Sequence, residues 1–545
     1  MKLKSLIVVL LCIVVCSSCE QPPIEAYAVL PQPQEINYVQ GFVKLKDKPM
    51  VVYSNELSNE ALLLASYLKN DFAVEVTLEE GKDKGDVILL LDSTVLPDKK
   101  GGYVLEAAGS RITIKASTPE GVFNGVQTLR QIIKEREGRL TVQKALVTDY
   151  PAFSWRAFML DEGRYFKGKE VVLNLLDRMA ELKMNVFHWH LTDDQGWRIE
   201  IKKYPKLTEV GAFRDSSEIN HFHSNVFDGK PHGGFYTQDD IKEVVDYAAK
   251  RHIMIVPEIE MPGHASAAIA SYPWLGTTGK QIKVPCNFGV HYNAYNVADP
   301  RVIQFQEDVL EEVIALFPSP VIHIGGDEAP RTRWAVCPKC QALVKKEGLK
   351  ADKKHTSEDR LQSYCMKRVE QFLNERGRQI IGWDEILEGD VAPNATVMSW
   401  RGMQGGIEAA KLKHDVIMTP NDYVYFDYYQ SADKEQEPMA MGSCITVEKV
   451  YNFEPVADEL ADEEKKHILG AQANVWTEYI GTPEHVEYMM VPRMAALAEV
   501  QWMMPEKKSY QGFLNRLGSL AEFYKRDNVN YAKHILPEVV PAQTK

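Results

Sequence analysis

The chain has 545 residues, of which 45% are hydrophobic and 26% are charged. This is an ordinary globular composition, long enough for roughly two or three domains. The formal net charge of −13 is spread over the whole length without a basic tract, so nucleic acid and acidic membrane surfaces are not expected as partners.

The N-terminus is predicted to be a signal peptide over residues 1–19. Lys2 and Lys4 precede an apolar run at 6–15 that is too short to span a bilayer. Small residues then lead to Cys19, which resembles a bacterial lipoprotein box, although Cys16 stands where leucine is common. We therefore expect an exported protein of the bacterial cell envelope, lipid-anchored through Cys19 in the periplasm or at the outer membrane. Secretion without a lipid is the alternative.

Residues 25–148 are predicted to form a small α/β domain. Helical spacing covers 120–135, and the turn-forming stretch 149–151 marks the boundary. Short strands are predicted where apolar residues run together or alternate, at 86–92, 103–105 and 112–114.

Strand-like and helix-like segments alternate from residue 150 to 535. Strands are predicted at 157–161, 186–191, 253–260, 321–324, 379–383, 395–400, 416–419 and 469–476. Helices are predicted at 169–183, 237–251, 302–316, 357–376, 406–413 and 485–501. This α/β order favours a (β/α)8 TIM barrel as the catalytic domain. A doubly wound open sheet is the alternative, although no glycine-rich phosphate loop supports it.

Polar residues gather behind the predicted barrel strands, at the ends where a barrel carries its active site. They are Asp161, Arg164, His188, His190, Asp193, Asp194, Glu258, Glu260, His264, Asp327, Glu328, Asp384, Glu385, Arg401 and Glu478. A glycine followed by an acid also occurs in ordinary turns, but so many polar strand ends together predict a functional site.

Tryptophan recurs at the same ends, as Trp383, Trp400 and Trp476. Flat aromatic walls beside carboxylates suit a pyranose, which has apolar C–H faces and a rim of hydroxyls. For any one tryptophan, core packing is the alternative.

A metal-dependent hydrolase is the rival hypothesis for these strand ends. His188 and His190 lie on one face of a strand, and His264 and His323 lie at neighbouring strand ends, so the histidines and nearby acids could hold zinc. Each histidine also lies beside an acid that could simply orient it, and we expect no metal. The pair Cys337 and Cys340 lacks the second CxxC that a zinc site would need, which leaves a local disulfide or two free thiols.

At this point the sequence resembles glycoside hydrolase family 20, the β-N-acetylhexosaminidases, over nearly its whole length. The matching motifs are L-P-Q-P-Q at 30–34, W-R-x-x-x-L-D at 155–161, W-H-L-T-D-D-Q at 189–195, P-E-I-E-M-P-G-H at 257–264, H-I-G-G-D-E at 323–328, G-W-D-E at 382–385 and W-T-E at 476–478. Glu260 departs from the pattern, since many relatives have aspartate there.

The resemblance implies a role for each matching residue. Glu328 is implied as the general acid/base, and Asp327 as the group that holds the N–H of the substrate's acetamido arm. Tyr425 is implied to hydrogen-bond the acetamide carbonyl, while Asp193 and His264 hold and tune the acid. The implied sugar-binding residues are Arg156 for the 3- and 4-hydroxyls, Asp427 and Glu478 for the 4- and 6-hydroxyls, and Trp383, Trp400 and Trp476 as walls.

The family's reaction is substrate-assisted: the acetamide oxygen attacks the anomeric carbon and gives an oxazolinium intermediate, whereas most retaining glycosidases use a protein carboxylate. Because successive side chains of an extended chain point opposite ways, Asp327 and Glu328 are expected to serve the acetamide and the bond being broken. Two adjacent acids raise one pKa, which we expect to keep Glu328 protonated. Gly325 and Gly326 are expected to let the backbone approach the sugar, or to relieve crowding in the barrel.

The sequence therefore predicts an exo-acting, retaining β-N-acetylhexosaminidase that releases terminal non-reducing N-acetylhexosamine from β-linked glycans without a cofactor. The alternative is a catalytically inactive glycan-binding surface lipoprotein, although a pure binder would not need the acid of the Asp327–Glu328 pair. The insertion at 214–232, rich in His and Asn, is expected to shape the aglycone side.

Overall fold

The computed structural model describes residues 23–81 and 84–535. The predicted signal peptide and Cys19 lie outside the described residues. Among the described residues, no helix combines the length and the apolar character needed to cross a membrane.

The N-terminal part is a mixed sheet of eight strands with two helices, Ser58–Phe72 and Pro119–Ile132. The second helix begins where Thr118 accepts a hydrogen bond from the amide of Gly121 and a proline occupies the first turn, a favourable start for a helix. The strands are Glu35–Lys44, Met50–Tyr53, Thr77–Glu80, Val87–Leu91, Tyr103–Ala108, Arg111–Ala116, Lys134–Arg136 and Arg139–Asp149.

The second part is a closed barrel of eight parallel strands, labelled β1 to β8 here. They are Trp155–Asp161 (β1), Val186–His190 (β2), Met254–Glu258 (β3), Val321–His323 (β4), Gln379–Trp383 (β5), Thr396–Ser399 (β6), Val416–Met418 (β7) and Ile468–Val475 (β8). Because β8 pairs in parallel with β1, the sheet has no open edge. The predicted (β/α)8 barrel behind a small α/β domain is confirmed, and the open doubly wound sheet is wrong.

Helices surround the barrel and return the chain from each strand to the next. The longer ones are Lys169–Glu181, Gln238–Ala249, Pro300–Leu316, Pro338–Lys346, Ser357–Asn374, Gln404–Lys411, Pro483–Met490, Arg493–Trp502 and Tyr510–Arg526. The segment 485–501, predicted as one helix, is two helices separated at Val491–Pro492. Proline has no N–H to continue the ladder and its ring clashes with the preceding turn.

Short strands and helices lie in the connections between the barrel strands and the longer helices. The short strand pairs are Thr192–Asp193 with Gly196–Trp197, Phe213–Arg214 with His232–Gly233, Glu218–Ile219 with Val226–Phe227, and Tyr428–Tyr429 with Met441–Cys444. The short α-helices are Lys206–Glu209, Ser266–Ser271, Thr332–Val336, Asn421–Val424, Val447–Tyr451 and Asp462–Lys465. Cys337 and Cys340, at the start of the helix Pro338–Lys346, are free thiols.

The two parts meet through buried ionic contacts. Lys183 Nζ lies 3.0 Å from Asp149 Oδ2 and 3.1 Å from the hydroxyl of Tyr103. The indole of Trp502 donates to the other oxygen of Asp149 at 2.8 Å. A buried charge is stable only when it is paired in this way, so these contacts fix the small domain against the amino ends of the barrel strands.

Candidate active site

An open pocket of about 770 Å³ lies at the carboxyl ends of the barrel strands. Eight of the predicted site residues contribute to its polar and aromatic surface. The lining consists of Arg164, Phe222, Gly289, Val290, Asp327, Glu328, Trp383, Trp400, Tyr425, Asp427, Tyr428, Met441, Trp476 and Glu478. Most of the predicted site residues therefore lie together at one pocket.

The chain turns sharply after β4 and presents Asp327 and Glu328 to the pocket. Gly325 and Gly326 have φ values of +68° and +99°, and Glu328 has +43°. The backbone is therefore not extended here, and the expectation that strand alternation separates the two carboxyl groups is wrong. A left-handed turn separates them instead, leaving the side chain of Asp327 12% exposed and that of Glu328 39% exposed.

Internal packing accounts for the two glycines. A Cβ at Gly325 would lie 1.8 Å from Oε2 of Glu260, and one at Gly326 would lie 2.8 Å from Cγ2 of Ile386. Positive φ is also costly for other residues. Of the two expected reasons for Gly-Gly, crowding in the barrel is thus the one that these contacts support.

His264 lies behind the two acids and contacts both. Its Nε2 is 3.5 Å from Asp327 Oδ2 and 3.6 Å from Glu328 Oε2. Its Nδ1 faces Asp193 Oδ1 at 3.2 Å and Asp194 Oδ2 at 3.4 Å. Burial opposes the charge of the imidazole, but the surrounding carboxylates raise the pKa of His264 well above its ordinary value, so it is an imidazolium wedged between two pairs of acids.

The pKa values of the two acids are shifted in the opposite sense to the sequence expectation. Burial, and then the nearby charges of Glu258 and Glu328, raise the pKa of Asp327 to about 6 against the pull of His264. Burial also acts to raise the pKa of Glu328, but contact with His264 and the charge of Arg164 outweigh it, and that pKa is lowered. The expectation that the raised pKa falls on Glu328 is therefore wrong for this structure, because Glu328 also faces the charge of Arg164 and is more exposed to water.

The predicted histidines at the strand ends gather around Glu258. His188 Nε2 lies 3.0 Å from Glu258 Oε2, His323 Nδ1 lies 2.9 Å from Oε1, and His190 Nδ1 contacts Oε2. His188, Glu258 and His323 offer three ligand atoms within 4.8 Å of one another, as do the groups around His264. Acids orient His190, which hydrogen-bonds Glu258 and Asp193. Nδ1 of His323 accepts a hydrogen bond from the amide of Gly325, and Nδ1 of His188 faces the side-chain amide of Gln472.

Aromatic side chains form the walls of the pocket. Trp383 and Trp476 lie with ring centroids 5.8 Å apart, and Trp400 stacks on Tyr425 at 6.2 Å. The indole of Trp400 donates to Glu385 at 2.9 Å. A wall whose polar edge is held in this way presents its apolar face to the pocket.

Arg164, Asp427 and Glu478 form a charged group at the pocket's edge. Arg164 Nη2 lies 3.1 Å from Asp193 Oδ2, and its Nη1 lies 3.8 Å from Glu478 Oε1. Burial raises the pKa of Asp427 well above its usual range, and it also raises that of Glu478. Arg164 Nε, Asp427 Oδ1 and Glu478 Oε2 are buried without a hydrogen-bond partner among the described residues. Buried polar atoms seldom stay unpaired, so this edge is suited to the hydroxyls of a ligand.

Arg156 is not in the pocket, and the expectation that it grips the sugar is wrong. It is the second residue of β1, and its guanidinium donates to the carbonyls of Lys183 and Phe153 and to Glu120 of the small domain. It lies five residue steps along the strand from Asp161, a distance of about 16 Å. Arg164 follows that end and lies in the pocket; its position behind a barrel strand is the signal that distinguishes the two arginines.

Sequence reasoning gave no role to several pocket residues. Phe222 lies in the predicted insertion, where its amide donates to the hydroxyl of Tyr479 at 2.9 Å and its ring lies 5.3 Å from that of Tyr479. Gly289 and Val290 come from the loop after β3, and Met441 from a short strand. No periodicity marks such loop residues, so only the insertion itself could be found from the sequence.

Comparison with known proteins finds matches to both parts of the chain. A family model described as "Glycosyl hydrolase family 20, catalytic domain" matches residues 153–505, and one described as "Glycosyl hydrolase family 20, domain 2" matches residues 26–150. A solved exo-β-N-acetylglucosaminidase of Vibrio harveyi, in complex with N-acetylglucosamine, superimposes with a TM-score of 0.82 at 31% identity, over 94% of this chain and 80% of that one.

Two curated relatives are similar in sequence. A β-hexosaminidase of Porphyromonas gingivalis is 41% identical over 521 residues, which cover 94% of this chain, and the chain spans 65% of the length of that relative. A β-hexosaminidase of Vibrio furnissii is 35% identical over 474 residues, with 86% of this chain and 76% of the relative covered.

Proposed function

Because this chain belongs to glycosyl hydrolase family 20, we propose that it is an exo-acting β-N-acetylhexosaminidase that works by substrate-assisted catalysis with retention of configuration. The family identified from the sequence motifs is confirmed. The observation that carries the proposal is the Asp327–Glu328 pair, both within 3.6 Å of one imidazole at the floor of a pocket walled by tryptophans.

In the proposed complex, the more exposed Glu328 faces the glycosidic oxygen and donates its proton as the bond breaks. The more buried Asp327 accepts the N–H of the acetamido group, and the hydroxyl of Tyr425 donates to the acetamide carbonyl. These contacts turn the acetamide oxygen toward the anomeric carbon and stabilise the positive charge of the oxazolinium. Glu328 then takes a proton from a water molecule. That water attacks the anomeric carbon from the face on which the leaving group stood and opens the oxazolinium ring, so the configuration is retained.

The remaining pocket groups are proposed to hold the terminal sugar. The polar atoms of Arg164, Asp427 and Glu478 that have no partner among the described residues suit ring hydroxyls, so Arg164 takes the role predicted for Arg156. Trp383, Trp400 and Trp476 suit the acetamide methyl and the apolar ring face. A glycan-binding protein that has lost catalysis would not need an acid that is 39% exposed beside a buried second acid. The alternative of an inactive glycan-binding lipoprotein is therefore not favoured. Export and lipid anchoring through Cys19 remain a proposal from the N-terminal sequence.

The role of Glu328 is tested by a Glu328→Gln variant assayed on two leaving groups. The variant keeps the shape of the side chain but cannot donate a proton. We expect kcat/KM to fall at least about 1,000-fold on an alkyl or sugar N-acetylglucosaminide, and much less on a nitrophenyl substrate whose leaving group needs no proton. Equal losses on both substrates would contradict the assignment.

Participation of the acetamide is tested with a thiazoline that mimics the oxazolinium. Asp327 and Tyr425 are both buried in the pocket wall, and we expect them to bind this inhibitor at least about 100-fold more tightly than free N-acetylglucosamine. A glucoside without the acetamido arm should not be hydrolysed measurably. Weak thiazoline binding together with rapid hydrolysis of that glucoside would rule out substrate assistance.

A further inference from the structure

Glu258, the last residue of β3, lies fully buried beneath the pocket and contacts four side chains. Its Oε1 accepts a hydrogen bond from the indole of Trp383 at 2.8 Å and lies 2.9 Å from His323 Nδ1. Its Oε2 lies 3.0 Å from His188 Nε2 and contacts Nδ1 of His190. Burial alone would raise the pKa of Glu258, but the three imidazoles outweigh burial and lower that pKa well below its ordinary value. These partners therefore stabilise the ionised carboxylate.

One line of contacts leads from Glu258 to the proposed acid. His190 Nε2 lies 2.9 Å from Asp193 Oδ2, and Asp193 Oδ1 lies 3.2 Å from His264 Nδ1. His264 Nε2 in turn lies 3.6 Å from Glu328. Glu258 is therefore the far end of a chain of alternating carboxylates and imidazoles, all buried except the acid itself.

A second line of contacts leads from Glu258 to the pocket walls. The hydrogen bond to Trp383 fixes the ring plane of one wall, and His190 packs edge-on against Trp476 with centroids 5.0 Å apart. Both tryptophans line the pocket. The same carboxylate thus determines the orientation of two walls as well as that of the relay behind the acid.

We propose that Glu258 is a positioning residue that sets the tryptophan walls and the acid relay together. The inference rests on the proposed function, because it assigns a role within the same site. A buried, charge-assisted hydrogen bond is short and directional, and functional side chains need such support to stay in the productive geometry. Glu258 itself does not touch the substrate.

The test is a Glu258→Gln variant. Its side-chain amide has one oxygen that can accept a hydrogen bond, and its NH2 group places a second donor against the imidazoles or the indole. We expect two independent losses. Binding of the thiazoline mimic should weaken at least about 10-fold because the Trp383 wall is released. The ratio of kcat/KM between nitrophenyl and alkyl N-acetylglucosaminides should rise at least about 10-fold because the relay no longer holds Glu328.

A Trp383→Phe variant separates these two effects. It removes the indole donor and leaves Glu258 and His190 in contact. We expect weaker thiazoline binding with an unchanged leaving-group ratio. Adding Glu258→Gln to it should raise that ratio and weaken binding further only through the Trp476 wall. If Glu258→Gln does not fold, Glu258→Asp, which keeps the charge but withdraws the carboxylate from Trp383 and His190, carries the test. Unchanged thiazoline binding together with an unchanged leaving-group ratio in that variant overturns the proposal.

Glu499→Gln is the matched control. Glu499 is also fully buried, and it accepts hydrogen bonds from Arg516 at 2.7 Å and from the amide of Gln32 at 2.9 Å, away from the pocket lining. We expect it to lose thermal stability without either kinetic change. Equal kinetics for Glu258→Gln and Glu499→Gln, with an active wild type, overturn the positioning role alone; a wild type inactive on every β-N-acetylhexosaminide overturns the proposed function as well.

Discussion

At the scale of single residues, the proposed reaction depends on which of the two acids, Asp327 or Glu328, carries the proton. The proposed reaction needs Asp327 ionised and Glu328 protonated. In this structure the pKa of Asp327 is about 6 while that of Glu328 is below its ordinary value, so a proton shared by the pair favours Asp327. A bound sugar would exclude water from Glu328 and raise its pKa, which would move the proton to the oxygen that has to donate it.

This arrangement predicts an acidic pH optimum. The proton needed for catalysis leaves the free enzyme as the pH rises through the upper pKa of the pair, so kcat/KM should fall above an apparent pKa of about 6, a value that belongs to the pair as a whole. The basic limb of kcat, which reports the substrate complex, should lie at higher pH. Initial rates between pH 4 and 9, at saturating and at low substrate, measure both limbs.

An Asp327→Asn variant provides the control for that profile. It removes the group with the raised pKa and leaves only Glu328, whose pKa is lowered by contact with His264 and by the charge of Arg164. The basic limb of kcat/KM should therefore move below that of the wild type, in addition to a loss of rate. A wild-type kcat/KM that stays level up to pH 8 would show that the pair does not titrate in this way.

At the scale of elements, the strands and their order could be predicted because each barrel strand is a short apolar run followed by polar residues. All eight predicted segments correspond to barrel strands. One predicted helix is interrupted at Pro492, and the predicted helix 120–135 runs into the strand Lys134–Arg136. The helices Ser58–Phe72, Pro338–Lys346 and Tyr510–Arg526 were not predicted from the sequence. Periodicity reports burial along one element, and for this reason it gives the strands and helices well.

A residue's place in the site could be predicted only where its position along a barrel strand shows whether it lies at the carboxyl end, where the pocket is, or at the amino end. Asp327, Trp383 and Glu478 lie at or shortly beyond the carboxyl ends of their strands, and all three line the pocket. Arg156 matches the family motif, but it lies at the amino end of β1, opposite the pocket, so the motif alone does not predict its location. The turn at Glu328, with φ +43°, and the insertion residue Phe222 depend on tertiary packing, which no local pattern records.

At the scale of the whole molecule, the small domain stabilises the barrel at the end opposite the pocket. Arg156 of β1 reaches Glu120 of the small domain at 3.1 Å and lies over the ring of Trp502 at 5.2 Å. Lys183 pairs with Asp149 beside it, both with fully buried side chains. Ionic contacts of this kind fix the two domains relative to each other, while the pocket lies at the other end of the same strands.

Two arginine variants distinguish stability from binding across the molecule. Arg156→Met leaves Glu120 and two buried carbonyls without their donor, so we expect the free energy of unfolding to fall by about 3 kcal/mol while KM of the folded enzyme changes less than about twofold. Arg164→Met removes the donor beside Glu478, and kcat/KM should fall at least about 100-fold, as expected for a lost charged hydrogen bond in the transition state. Thermal unfolding and steady-state kinetics on both variants measure this. A large rise in KM for Arg156→Met, with Arg164→Met unaffected, would return the sugar-binding role to Arg156.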